Sequence, residues 1–144
     1  MGITKKVASS AAQSPVNPDA LAGRVRISDD IAAYAQSRLA LTMWSRAMAL
    51  ALQDEGPAII AVNPGSMLGT KMVKQAFDAA GKDIGIGAEI LTRAALAEEF
   101  TTASGQYFDN DSGHFASPHP DASNPQKSED IVRIIEETLA QIVQ

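Results

Sequence analysis

The chain has 144 residues, a net charge of −5 and no cysteine. That is the length of one domain. The charge argues against non-specific nucleic-acid binding, and the lack of Cys excludes disulfides, thiolate metal sites and cysteine nucleophiles. No apolar run approaches the ~20 residues of a membrane span. The first residues lack the apolar core of a signal peptide, and Lys6 stands where a myristoylation motif beginning Met1-Gly2 needs Ser or Thr. The expectation is a soluble, cytoplasmic protein with neither a membrane nor a nucleic-acid partner.

In chain order, Val7-Ala8-Ser9-Ser10 reads as the tail of a buried strand, with little strand in Gly2 to Lys6 ahead of it. Residues 11–30 read as a long polar loop, because Pro15, Asn17-Pro18-Asp19 and Gly23 are turn formers. Ser28-Asp29-Asp30 offers an N-cap and first-turn acids for a helix over 31–53. That helix carries two apolar stripes, one of Ala35, Leu39, Met43, Ala47 and Leu50, the other of Leu41, Trp44, Met48 and Leu52. Two stripes mean cover on two sides, one by a sheet and the other by a helix or another subunit. Within it, Tyr34 and Arg38 are four residues apart and share a face.

Gly56 ends this helix, and Pro57 to Val62 is a short apolar run of the kind found in parallel strands buried on both faces. Ligands in open α/β sheets sit beyond the carboxyl ends of strands, so Pro64 to Thr70 is where a site is expected. A short helix is expected over Lys71 to Ala80, closed by Gly81, then a flexible 81–87 segment and a helix over 88–102. Gly105 to Phe108 reads as a short last strand. Residues 109–127 read as a second long polar loop. Asp109, Asp111 and Gly113 do not complete a calcium loop, and His114 and His119 read as solvated loop histidines, so no metal site is expected. Ser128 starts a final amphipathic helix. Strands alternating with helices indicate an α/β fold with a parallel sheet, here with about two strands.

From Val7 onward the chain resembles the C-terminal half of the short-chain dehydrogenase/reductase family. Ser9-Ser10-Ala11-Ala12 resembles the strand end that carries the family's catalytic serine, with Ser10 the first choice and Ser9 the alternative. Tyr34-Ala35-Gln36-Ser37-Arg38 resembles its Tyr-x-x-x-Lys motif. Asn63-Pro64-Gly65 with Thr70 resembles its Pro-Gly turn and the threonine that meets the nicotinamide amide. The long 11–30 segment resembles the retinol-dehydrogenase-like subgroup, in which the loop between serine and tyrosine is extended.

The resemblance implies a truncated Rossmann-type, doubly wound parallel sheet whose first βαβ units are missing, spanning residues 1–144 as a single partial domain. It also implies NAD or NADP as cofactor and an alcohol or carbonyl substrate. Ser10, Tyr34 and Arg38 would be catalytic; Tyr34, Arg38, Pro64, Gly65 and Thr70 would meet the cofactor. Arg38 departs from the family lysine: it keeps the charge and can donate to ribose hydroxyls, but it cannot pass on a proton. A free phenol ionises at about pH 10, so proton transfer near neutrality requires roughly 4 kcal/mol. An exposed cation nearby supplies only ~0.3–1 kcal/mol, so burial and a bound cationic ring must provide the rest. The glycine-rich turn and ribose-binding acid of the family's first half are not in this sequence. Two partners are therefore expected: a complementing N-terminal half, or a second copy docking through helices 31–53 and 88–102. Two other functions compete with the enzyme: a non-catalytic dimerisation or assembly module, and a small-molecule binding module.

Overall fold

A computed structural model describes residues 4–53 and 55–144; the Met1-Gly2 start considered above lies outside them. The chain is an α/β fold built on a four-stranded, mostly parallel mixed sheet flanked by helices. The strands are β1 (Thr4–Ala8), β2 (Ala58–Asn63), β3 (Tyr107–Asp109) and β4 (His114–Ala116), in that spatial order. β1 pairs in parallel with β2, and β2 with β3; β4 turns back antiparallel to β3.

Two more strand segments form than the sequence led us to expect. β1 is a full five-residue strand, with Thr4 opposite Ala58 and Ala8 opposite Val62. Only its end, Val7-Ala8, carries a strand signal, because it is an edge strand, with Lys5, Lys6 and Ala8 exposed. Edge strands tolerate lysine, which discourages pairing with other chains. β4 interrupts the expected 109–127 loop: Asn110 to Gly113 is a tight turn, and Phe115 returns beside Phe108. A short 3-10 turn at Pro120–Ser123 follows.

The helices are α1 (Pro18–Leu21), α2 (Asp30–Leu52), α3 (Lys71–Phe77), α4 (Gly85–Leu96) and α5 (Pro125–Ile142). Asp29 caps α2 by accepting from the Ala32 amide, and Asn124 caps α5 with Pro125 at its first position. α3 ends three residues earlier than expected, at Asp78 in the left-handed region rather than at Gly81. The 81–87 segment is ordered: Lys82 bridges to Leu68, and α4 begins at Gly85. α4 stops at Leu96, short of the expected 102, because Ala97 turns extended and a 3-10 turn follows at Glu98–Phe100.

Alternation along β2 divides the sheet into two faces. Ile60, Val62 and Phe108 point to one and are buried with Ile90 and Ala94 of α4, Phe100 and Ala103. Phe100, Phe108 and Phe115 form a ring triad with centroids 5.1 to 5.3 Å apart. α2 lies across the other face. Its Leu39, Ala40 and Met43 pack with Ala122 and Ile131 into a second core beneath α5. α5 thus covers one of the two apolar stripes of α2 within the same chain. The side of α2 turned to the sheet is made of small residues, Thr42 and Ala49, beside Ser9 and Gly105.

Candidate active site at the ends of β1 and β2

Three loops converge where the parallel strands end. β1 runs into Ser9 and Ser10, and the Ser9 amide extends the ladder by donating to the Val62 carbonyl at 2.8 Å. The two serines differ. Ser9 is 5% exposed, and its hydroxyl lies 2.6 Å from that of Thr42 in α2. Ser10 is half-buried, and its hydroxyl oxygen accepts only from the Ala12 amide, at 3.1 Å, among the described residues. Its proton is left to offer. The Ser10 carbonyl is held from two sides, by Gln13 Nε2 at 2.8 Å and by the Tyr107 hydroxyl at 3.2 Å. Burial, then the charges of Asp109 and Asp111, push the Tyr107 phenol up to about 12, so it remains a donor across the neutral range.

α2 brings Tyr34 and Arg38 to this strand end, both half-buried. The guanidinium of Arg38 sits over the Tyr34 ring, 4.9 Å from its centroid, a cation–π arrangement. Its Nη1 donates to the Ala8 carbonyl at 3.2 Å, and its Nε is buried with no hydrogen-bond partner among the described residues. Arg38 therefore bridges the tyrosine and the serine strand. The Tyr34 hydroxyl carries no hydrogen bond among the described residues, and none joins it to Ser10.

β2 ends in Asn63-Pro64-Gly65. Gly65 has φ 136°, where a side chain would be strained. Thr70 is exposed and caps α3, its oxygen accepting from the Val73 amide at 3.3 Å, which leaves its hydroxyl proton unused. The Pro64 carbonyl accepts from Asn110 Nδ2 at 2.9 Å. Tyr34 and Arg38 thus meet β1 at Ala8, two residues before Ser10, while Pro64, Gly65 and Thr70 lie on the loop after β2. Among the described residues no hydrogen bond joins Ser10 to Tyr34 or Arg38, or any of these three to Pro64, Gly65 or Thr70.

The sequence reading passed over the groups that fix this loop. Asn63 is 1% exposed. Its Nδ2 donates to Asp109 at 2.8 Å and to Asp111 at 2.9 Å, while its Oδ1 accepts from the Gly65 amide at 3.2 Å. Asp111 also accepts from the amide and hydroxyl of Ser66. Burial acts to raise both carboxyls. For Asp109, hydrogen bonds from Asn63, Ser112 and the Asp111 amide outweigh it; for Asp111, those from Ser66 and Asn63 and the charge of Lys82 do so, and both end below the usual carboxylate range. Nothing local in the sequence marks Asn63 as the partner of two acids more than forty residues away. Among the described residues, no group of three or more acids and histidines is placed to hold a metal ion, and no helix is long and apolar enough to cross a membrane.

Comparison of the chain with family models, with curated proteins and with solved structures gives no match.

Proposed function

We propose that the chain is the catalytic part of a short-chain dehydrogenase/reductase-like oxidoreductase, the C-terminal half of a Rossmann-type doubly wound sheet. It would transfer a hydride between NAD(P) and an alcohol or carbonyl substrate. One observation carries the reading: Arg38 joins the Tyr34 ring to the carbonyl of Ala8, two residues before Ser10. The Tyr-x-x-x-Arg pair and the serine strand, read separately in the sequence, are thereby in one place.

The residues fit the cofactor's nicotinamide end. The buried, unpartnered Nε of Arg38 and the spare hydroxyl proton of Thr70 are donors suited to a ribose hydroxyl and a carboxamide oxygen. When bound, a reduced nicotinamide supplies the hydride. Ser10 donates its hydroxyl proton to the substrate oxygen as negative charge develops there. Tyr34 donates the proton that completes the alcohol, and takes it back in the reverse direction. Arg38 holds the ring of Tyr34 and adds a fixed positive charge, but the proton that restores Tyr34 comes from solvent, because a guanidinium does not deprotonate. The glycine-rich strand-to-helix turn that grips a pyrophosphate in such enzymes is not among the described residues, so the adenosine end needs a second chain or segment.

The test is a fluorescence titration with NADH and NADPH, followed by absorbance at 340 nm with a panel of aldehydes and ketones. Saturable but weak binding is expected of the chain alone, because it holds only the nicotinamide end, together with slow oxidation that Tyr34→Phe abolishes. No saturable binding, with dimers by light scattering, would overturn the enzyme reading in favour of an assembly module.

A further inference from the structure

We infer that Thr42 is a positioning residue for Ser10, holding the strand end on which Ser10 stands against the helix face that carries Tyr34 and Arg38. The inference rests on the functional reading above, although its central measurement does not need turnover.

Counting protons directs the contact. Thr42 has one hydroxyl proton, and its oxygen donates it to the Arg38 carbonyl at 2.9 Å, the back-bond that a mid-helix threonine commonly makes. The 2.6 Å contact between the two hydroxyls must then run from Ser9 as donor to Thr42 as acceptor. The result is a directed chain, from the Ser9 hydroxyl to the Thr42 hydroxyl to the Arg38 carbonyl. It begins at the residue next to Ser10 and ends on the backbone of the residue that stacks on Tyr34.

Both hydroxyls are shielded, with Ser9 5% and Thr42 2% exposed, so water cannot substitute for either partner. The contact spans 33 positions of sequence and lies beside a second tie, the Arg38 bond to Ala8. Ala8 and Ser9 are thus both anchored to α2, and the Ser10 carbonyl is anchored to Gln13 and Tyr107. Fixing the backbone on both sides of Ser10 leaves its hydroxyl as the group able to turn toward a substrate. A β-branched apolar residue would pack at position 42 equally well, so packing alone does not call for a hydroxyl there.

The experiment compares Thr42→Val, Thr42→Ser, Ser9→Ala and the Ser9→Ala/Thr42→Val double variant in the full chain. The first readout is amide hydrogen exchange by NMR. At Ser9, whose amide is bonded to Val62, exchange should rise roughly tenfold in Thr42→Val and return toward wild type in Thr42→Ser. The amides of central β2 and of α5 should keep their wild-type rates. The double variant should add little to either single one, since both remove the same bond. An even rise across β2 and α5 would mean plain destabilisation and would overturn the inference, as would an unchanged Ser9 amide. Should Thr42→Val fail to fold, Ser9→Ala against Thr42→Ser carries the same comparison. Where wild type reduces a carbonyl, Thr42→Val should lower kcat with KM retained, and an unchanged kcat would also overturn the inference. A wild-type chain that neither binds cofactor nor turns over refutes the functional reading, while the exchange result still decides whether Thr42 positions the strand end.

Discussion

Replacing Asn63 with Ala tests whether the β2 turn is held by the β3–β4 hairpin. The substitution removes two hydrogen bonds to carboxylates and one from the Gly65 amide. A bond to a charged group is worth roughly 1.5–3 kcal/mol when well buried and a neutral one about 1 kcal/mol. The Asp111 side chain is 30% exposed, so solvent screens part of its share. Taking about 1 kcal/mol for each of the three bonds gives a loss of roughly 3 kcal/mol at pH 7. The loss should shrink in acid. Asp109 and Asp111 titrate below their unfolded values, so the stability they confer is present above about pH 4 and disappears as pH falls through their folded values. Once they are protonated, the variant has little charge-assisted bonding left to lose, and the difference should fall toward about 1 kcal/mol. Urea unfolding followed by circular dichroism and by Trp44 fluorescence, at pH 7 and in steps down to and below pH 3, follows the decline. A loss below about 1 kcal/mol at pH 7, or a loss that does not decline as pH falls, would refute the assignment of Asn63 as the clamp.

Three further outcomes are expected. Leu39→Ala empties a fully buried site between α2 and α5 and should cost about 2–5 kcal/mol, read as a lower urea midpoint at unchanged slope. Gly81→Ala would set a methyl group 2.7 Å from the Gly69 backbone at φ +74°, and its Tm should fall well below that of Gly23→Ala, where φ is +76° but nothing lies within 4 Å. In a Tyr34→Phe background, ultraviolet titration should show the Tyr107 phenol ionising at about 12, against about 10 for a free phenol. Because its folded value is raised, the stability tied to this group is intact below about pH 10 and is lost as pH rises through about 12, so alkaline unfolding should be blunted in Tyr107→Phe.

How much was legible varied with how local the signal was. α2 and β2 were readable within a residue or two, since a 23-residue amphipathic helix and an apolar hexapeptide carry their own periodicity. The Asn124 cap and Pro125 start of α5 lay three residues ahead of the expected Ser128, because the apolar face begins only at Ile131. Only the end of β1, and nothing of β4, is legible in the sequence, for a shared reason. Each is short and at an edge of the sheet, and edge strands need no apolar alternation to pair. The expected helix runs past the end of α4 because Ala95 to Glu99 are good helix residues, while the chain turns into a 3-10 turn at Glu98–Phe100, with Phe100 packed against Phe108 and Phe115.

By itself the sequence determined the alternation of strands and helices, the long α2 with Tyr34 and Arg38 on one face, and the Pro64-Gly65 turn at a strand end. These are properties of neighbouring residues, set by φ/ψ preference and by periodic burial. Tertiary structure alone decided which of two adjacent serines spends its hydroxyl on Thr42 and which keeps it, that Arg38 reaches Ala8 rather than solvent, and that Asn63 serves two distant acids. A hydrogen bond between residues 33 or 46 positions apart leaves no local trace in composition or spacing. It exists only once the sheet has brought the strand ends together, and there burial makes an unpaired polar group costly enough to select its partner.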